Sequence, residues 1–201
     1  MNETWKFIDE VHKFENLPKD DIKEIVFWGR SNVGKSSLIN SFTKSSIAKT
    51  SKTPGRTRSL VLFQLDKRIR IVDFPGYGYS KISKAREDKL NKLIDNYIQK
   101  RKNLFALCLL IDSLHGFKKM DRIILSQLDD YIQNKIFIIF TKIDKLKNRH
   151  DREALKELNK LVTTQLNKNF FNTSIKEVNT IILFKKFMMD FLLNARPHNK
   201  S

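Results

Sequence analysis

Cysteine is almost absent from this chain of 201 residues, whose only one is Cys108, within the apolar run "LFALCLLID". A single thiol has no partner in the chain, so an intramolecular disulfide is excluded and a reducing compartment is favoured. Because its neighbours are apolar, we expect Cys108 to be a buried core residue and not a reactive thiol.

Long apolar runs are also missing. No stretch approaches the roughly 20 apolar residues that a membrane-spanning helix needs. The opening residues, "MNETWKFIDEVHKFENLPKDD", mix acids, bases and aromatics, unlike the uninterrupted apolar core of a secretion signal. We therefore expect a soluble, cytoplasmic protein without stable membrane insertion.

Acidic residues are in the minority. The 39 Lys and Arg residues against 22 Asp and Glu give a formal net charge of +17 and a pI of about 9.9. So basic a surface favours polyanionic partners, meaning nucleic acid or acidic lipid. The length and the 40% hydrophobic content fit one domain with a substantial core.

Short apolar runs rich in branched and aromatic side chains predict strands, and most of the stretches between them have helical spacing. This alternation predicts an α/β fold with helices on both faces of a mostly parallel, six-stranded sheet. The two strands around "LDKR" should form an antiparallel hairpin at one edge. We expect residues 1–22 to form a helical extension, 23–194 the domain and 195–201 a flexible tail. The predicted strands are 25–28, 60–65, 69–73, 105–112, 136–141 and 170–174.

The first predicted strand of this sheet is followed by "GRSNVGKS", which has the spacing of a phosphate-binding loop and opens a predicted helix. Glycines let backbone N–H groups turn towards phosphate oxygens, and the helix N-terminus adds partial positive charge. Lys35 should reach the outer phosphates, and the Ser36 hydroxyl should bind magnesium. The predicted phosphate-binding residues are Gly29, Arg30, Ser31, Asn32, Val33, Gly34, Lys35 and Ser36.

A phosphate loop does not choose between ATP and GTP, and "FTKID" supplies the choice. The Asp144 carboxylate can accept hydrogen bonds from the ring N–H and exocyclic amine of guanine, whereas adenine would present an acceptor to it. Lys142 should lie along the base plane, between Thr141 and Ile143. The weaker motif "FFNTS" either lines the guanine edge or is a plain strand-end turn; its candidates are Asn172, Thr173 and Ser174.

Two further segments complete the predicted nucleotide site. In "DFPGYG", Asp73 should hold magnesium through water, and the Gly76 N–H should contact the terminal phosphate, with Phe74 and Pro75 between them. In "KTSKTPGRTRS", Thr57 is the candidate for a second magnesium ligand that closes only on the third phosphate. Its predicted neighbours in the site are Gly55, Arg56, Arg58 and Ser59.

The basic loop that contains Thr57 has a second interpretation. Between Lys44 and Arg58 there are five bases and no acid. A bound triphosphate explains part of this charge, and RNA phosphate explains the rest. Without the other motifs, the segment would be a flexible basic loop.

The motifs "GRSNVGKSSLIN", "KTPGRT", "DFPGYGYSK", "LIDSLHG" and "TKIDKLK", in this order, resemble the EngB (YihA/YsxC) family of translation-factor-related GTPases. The resemblance implies a Ras-like fold and magnesium-dependent GTP binding. It also implies a role in assembling the large ribosomal subunit that is needed for growth, division and septation. This chain departs from the family pattern at Trp28, which is usually small, and at Leu114, which is usually arginine.

Hydrolysis of GTP requires an oriented water and neutralised phosphate charge. Many small GTPases orient the water with a glutamine where this chain has Tyr77, so we expect slow hydrolysis and assign no catalytic base. The candidate catalytic residues are Lys35, Asn32 and Gly76. In related GTPases an asparagine at the place of Asn32 helps to coordinate potassium, so potassium should stimulate turnover; alternatively, Asn32 only tolerates the tight loop.

The sequence is compatible with three candidate functions. The leading one is a monomeric, GTP-controlled switch that contacts ribosomal large-subunit particles and rRNA. The alternative is a GTP-dependent division or membrane-surface factor, although neither end carries a lipidation motif or a basic amphipathic helix. A scaffold that binds no nucleotide is disfavoured because the key side chains are all present: Lys35, Ser36, Thr57, Asp73 and Asp144.

Overall fold

The computed structural model describes residues 3–49, 59–78 and 83–194, and these form one seven-stranded sheet with helices on both faces. The strand order is β1-β3-β4-β2-β5-β6-β7. Pairing is parallel from β4 through β7 and antiparallel for β1 with β3 and β3 with β4. The strands are β1 Trp5–Val11, β2 Lys23–Gly29, β3 Leu60–Leu65, β4 Ile69–Asp73, β5 Leu104–Asp112, β6 Ile136–Thr141 and β7 Asn169–Asn172.

Two apolar clusters, one on each face of the sheet, form the core. Helices α2, α3 and α4 pack on one face, and α1 and α5 pack on the other. Cys108 is buried among apolar residues of β5, as predicted, and burial raises its pKa. The helices are α1 Lys35–Thr43, α2 Lys84–Lys100, α3 Lys119–Ile132, α4 Arg149–Thr164 and α5 Val178–Asn194.

The N-terminal segment corrects two predictions. The helix expected within residues 1–22 is instead the strand Trp5–Val11, which pairs with β3. The free edge of β3 offers unpaired backbone groups, and the aromatic and branched residues of this segment suit a strand that pairs there. The sheet therefore has seven strands instead of six, and the β3–β4 hairpin lies inside it and not at its edge.

A buried ion network closes the opposite end of the sheet from the carboxyl ends of its parallel strands. Glu24, at the start of β2, is completely buried and accepts hydrogen bonds from Arg70, Tyr97 and Arg101 at 2.5–2.8 Å. These partners belong to β4 and to the end of α2, so the network holds three elements together.

Within the described ranges, no helix has the length and apolar character to cross a membrane.

Candidate functional site

The phosphate loop connects β2 to α1 and requires glycine at two positions. A Cβ on Gly29 would lie 2.9 Å from Cβ of Leu110 on the neighbouring strand β5. Gly34 precedes α1 with a φ of 104°, in the left-handed region that glycine adopts without strain. Asn32 also has a positive φ of 66°. The loop therefore packs closely against the sheet, at the N-terminus of α1.

Lys35 and Asp73 meet at the base of this loop. Both side chains are buried, and the Lys35 ammonium donates to the Asp73 carboxylate. Burial raises the pKa of Asp73, and the neighbouring Lys35 opposes that shift. Ser36 follows Lys35 in the first turn of α1 and is half-buried. The three side chains predicted to act on phosphate and magnesium thus belong to one cluster of β4 and α1.

The segment after Asp73 docks against the phosphate loop. The Ser31 N–H donates to the Tyr77 carbonyl at 3.0 Å, and a Cβ on Gly76 would lie 3.1 Å from the Ser31 nitrogen. The indole of Trp28 donates to the Pro75 carbonyl at 3.0 Å. Trp28, which departs from the family pattern, therefore helps to hold this segment beside the loop.

The Tyr77 side chain is held by α3. Its hydroxyl donates to Oδ1 of buried Asp121 at 2.7 Å, and the other oxygen of that carboxylate accepts from the Lys118 N–H at 2.6 Å. Burial, with the Asp121 charge beside it, raises the pKa of Tyr77 well above its usual range, so the hydroxyl remains a neutral donor. The residue in the usual glutamine position is therefore engaged with a helix.

The guanine motif after β6 contacts the phosphate loop directly. The Thr141 hydroxyl donates to the Val33 carbonyl at 2.7 Å. Lys142 has a left-handed backbone with a φ of 63°, and its ammonium donates to the Asn32 carbonyl and to the Asp112 carboxylate, both at 2.7 Å. Two motifs about 110 residues apart thus form one continuous surface.

The structure brings the weakest motif beside Asp144. The Ser174 hydroxyl donates to Oδ1 of Asp144 at 2.6 Å, and Lys176 lies 3.2 Å from Oδ2. The hydrogen bond from Ser174 is the main cause that lowers the pKa of Asp144, so the carboxylate is charged at neutral pH. The Thr173 carbonyl accepts from the Ile143 N–H, while Asn172 ends β7.

Five predicted site residues belong to the part of the chain that precedes β3. Gly55, Arg56, Thr57 and Arg58 are outside the described residues. Ser59 is buried, and its hydroxyl donates to Glu10 of β1 at 2.5 Å.

Sequence reasoning missed three residues that support the site. Asp112 positions Lys142, Asp121 holds Tyr77, and Lys176 pairs with Asp144. The sequence contained a signal for Asp112, because this residue is the one charge in the apolar run "LFALCLLID" and stands at its end. The other two depend on how distant elements pack.

Comparison with known proteins identifies the family. Residues 24–142, more than half of the chain, match the family model described as a 50S ribosome-binding GTPase. The chain is 47% identical over 168 residues to a probable GTP-binding protein EngB of Mycoplasmopsis synoviae (strain 53), covering 84% of this chain and 87% of that one. The chain belongs to the EngB family of GTP-binding proteins.

Other members of the EngB family agree with this assignment. A probable EngB of Aquifex aeolicus (strain VF5) is 41% identical over 150 residues, which cover 74% of this chain and 81% of that protein. The crystal structure of a probable EngB superposes with a TM-score of 0.64 at 22% identity, covering 86% of this chain and 99% of that one. The predicted family and the α/β, mostly parallel GTPase fold are therefore confirmed.

Proposed function

We propose that this chain is a cytoplasmic, monomeric GTP switch that acts in assembly of the large ribosomal subunit and hydrolyses GTP slowly. One observation carries the proposal: the phosphate-binding and guanine motifs meet at one edge of the sheet, in a domain that matches a 50S ribosome-binding GTPase model. The net charge of +17 supports a partner with many phosphates. Growth, division and septation would depend on this assembly step.

Magnesium fits the residues at the base of the phosphate loop. Magnesium prefers hard oxygen ligands and takes only one or two from the protein beside the phosphates. The Ser36 hydroxyl would be a direct ligand, and Asp73 would act through water. Thr57, outside the described residues, is the proposed second direct ligand. Bound magnesium would neutralise charge that develops on the transferring phosphate.

The position of Tyr77 supports the proposal that hydrolysis is slow. Because its hydroxyl is bonded to Asp121, this side chain does not orient the attacking water, and a phenol cannot replace an amide. Lys35 and the Gly76 N–H would stabilise phosphate charge without activating water. A potassium ion held at Asn32 would add positive charge there, and we propose that it raises turnover.

Sedimentation with ribosomal particles tests the proposed function. Large subunits, both mature and arrested in assembly, are incubated with the protein plus a non-hydrolysable GTP analogue, GDP or no nucleotide. We expect co-sedimentation to be strongest with the GTP analogue and to weaken steeply as salt rises. The variant Asp144→Asn should co-sediment with the corresponding xanthosine analogue and not with the GTP analogue.

The same sedimentation experiment has outcomes that would contradict a ribosomal function. Co-sedimentation that ignores nucleotide and salt, or no co-sedimentation with either kind of particle in any nucleotide state, is incompatible with the proposal. Flotation with anionic liposomes tests the alternative of a membrane-surface factor. GTP-dependent flotation together with no particle binding would favour that alternative.

A further inference from the structure

A groove beside the nucleotide site is not explained by nucleotide binding. It has a volume of about 570 Å³ and lies between the loop that follows β5, the start of α3 and one side of α4. We name it the α3–α4 groove. The lining residues on which its chemistry depends are Ser113, His115, Phe117, Arg122, Leu158 and Lys160.

The α3–α4 groove is basic. Its lining includes the cationic side chains Arg122 and Lys160 and the imidazole of His115, and among the described lining residues Glu157 is the only acid. Within the described part of the chain, no carboxylate lies within 4.0 Å of a side-chain nitrogen of Arg122, Lys160 or His115. These nitrogens are therefore available to an anionic ligand. The guanidinium of Arg122 lies over the Phe117 ring, 5.7 Å from its centroid.

A buried serine, Ser113, is among the residues that line the groove. Ser113 is only 3% exposed, and its Oγ has no hydrogen-bond partner among the described residues. A buried polar group without a hydrogen-bond partner is destabilising, so a ligand that satisfies it gains affinity. Leu158 and Leu161 supply an apolar wall beside this hydroxyl. The groove thus combines cations, an unpaired hydroxyl and an apolar surface.

The groove is attached to the guanine motif. The Ser113 N–H donates to the Thr141 carbonyl at 3.0 Å, and the Leu114 N–H donates to Asp112 at 3.1 Å. The same Asp112 carboxylate accepts from Lys142, which also contacts the phosphate loop. A ligand in the groove would therefore contact the loop that supports guanine recognition.

We propose that the α3–α4 groove binds a single-stranded segment of RNA. Phosphates contact Arg122 and Lys160, and a base or ribose covers the apolar wall next to Ser113. A volume of about 570 Å³ suits one or two nucleotides and is too small for a duplex. This proposal deepens the ribosomal function and rests on it for the source of the RNA. A protein segment is disfavoured because the groove has few apolar anchors and an excess of unpaired cations.

A matched pair of variants tests the groove. The variant Arg122→Ala/Lys160→Ala removes two exposed cations from the groove, and Lys92→Ala/Lys186→Ala removes two exposed lysines from α2 and α5. Both variants have the same net charge. Affinity for a fluorescent single-stranded oligoribonucleotide is measured by anisotropy between low and moderate salt.

The expected difference lies in the salt dependence. Each lost phosphate contact on a single strand reduces the slope of log K against log salt by about 0.7, so the groove variant should lose about 1.4. The control should keep the wild-type slope. Equal slopes for the two variants would overturn the proposal. Inorganic polyphosphate should bind the wild type and the control variant more weakly than RNA does, and polyphosphate binding to the wild type as tight as RNA binding would overturn the nucleoside contact.

Failure of the groove and failure of the ribosomal function are distinguishable. If the groove variant loses oligonucleotide binding while wild-type protein shows no GTP-dependent sedimentation with particles, the groove is supported and the ribosomal function is not. If wild-type sedimentation depends on GTP but both variants bind the oligonucleotide with one slope, the ribosomal function is supported and the groove is refuted. Urea unfolding of both variants checks that each is folded.

Discussion

Asp144 is the residue that we propose selects the base, and the change Asp144→Asn tests this role quantitatively. A carboxylate accepts two charge-assisted hydrogen bonds from guanine, each contributing about 1.5–3 kcal/mol. Their sum is about 3–6 kcal/mol, and at 1.4 kcal/mol per tenfold the affinity for GTP should fall by roughly 10² to 10⁴. The variant should bind xanthosine triphosphate more tightly than the wild type does, because the 2-oxo group of this nucleotide accepts a hydrogen bond from the new amide.

Titration with fluorescent GTP and xanthosine triphosphate measures both effects. Ser174→Ala is the matched control, because it removes the hydroxyl that lies 2.6 Å from Asp144 and leaves the carboxylate in place. The loss of this one hydrogen bond should lower the affinity for GTP by about 2- to 10-fold and leave the affinity for xanthosine triphosphate low. Equal weakening of the two nucleotides by Asp144→Asn would refute the assignment of base recognition to this carboxylate.

The pH dependence of GTP affinity provides an independent test of Asp144. The hydrogen bond from Ser174 lowers the pKa of the Asp144 carboxyl below its usual 3.8, so the acceptor stays charged as the solution is acidified. The hydrogen bonds from guanine to Asp144 should therefore persist on acidification until the pH approaches the lowered pKa. Ser174→Ala should move the onset of their loss to higher pH. Fluorescence titration with GTP at decreasing pH measures the onset, and an unmoved onset would contradict the role of Ser174.

Three other predictions concern stability and turnover. Glu24→Ala leaves Arg101 without a carboxylate partner among the described residues and Arg70 with Asp20 as its remaining carboxylate. It should cost about 3–5 kcal/mol in urea unfolding, against about 1 kcal/mol for Tyr97→Phe. Equal losses would contradict a shared network. Tyr77→Phe should leave single-turnover hydrolysis within about twofold, because the hydroxyl donates its hydrogen bond to Asp121. A tenfold fall, about 1.4 kcal/mol in the barrier, would contradict this. Potassium should accelerate turnover relative to sodium in the wild type but not in Asn32→Gly, and equal wild-type rates would exclude a potassium site.

The positions of the main motifs were predictable because each follows an apolar strand. Gly29 ends β2, Asp73 ends β4 and Thr141 ends β6. Carboxyl ends of neighbouring parallel strands lie at one edge of the sheet, so a correct strand assignment is enough to bring these residues together. Placing Ser174 beside Asp144 needed one more strand, β7, whose end the sequence indicated only weakly.

Side-chain pairs between distant elements were not predictable in the same way. The bond from Tyr77 to Asp121 spans 44 positions, and it exists because α3 packs beside the segment that follows β4. The strand Trp5–Val11 likewise depends on the unpaired edge of β3. Local propensity contains no information about either partner, since both contacts are set by the three-dimensional arrangement of whole elements.

Asn32 has two proposed roles, as a potassium ligand or as a residue that only tolerates the tight loop, and a glycine substitution separates them. Its backbone has a φ of 66°, which asparagine tolerates, and its carbonyl accepts from Lys142. Its side chain is exposed and makes no hydrogen bond with another described residue. Glycine at this position keeps both the backbone conformation and the carbonyl but removes the amide. A loss of potassium stimulation in Asn32→Gly with unchanged GTP affinity therefore assigns the effect to the side chain, whereas a loss in Asn32→Ala alone would reflect only backbone strain.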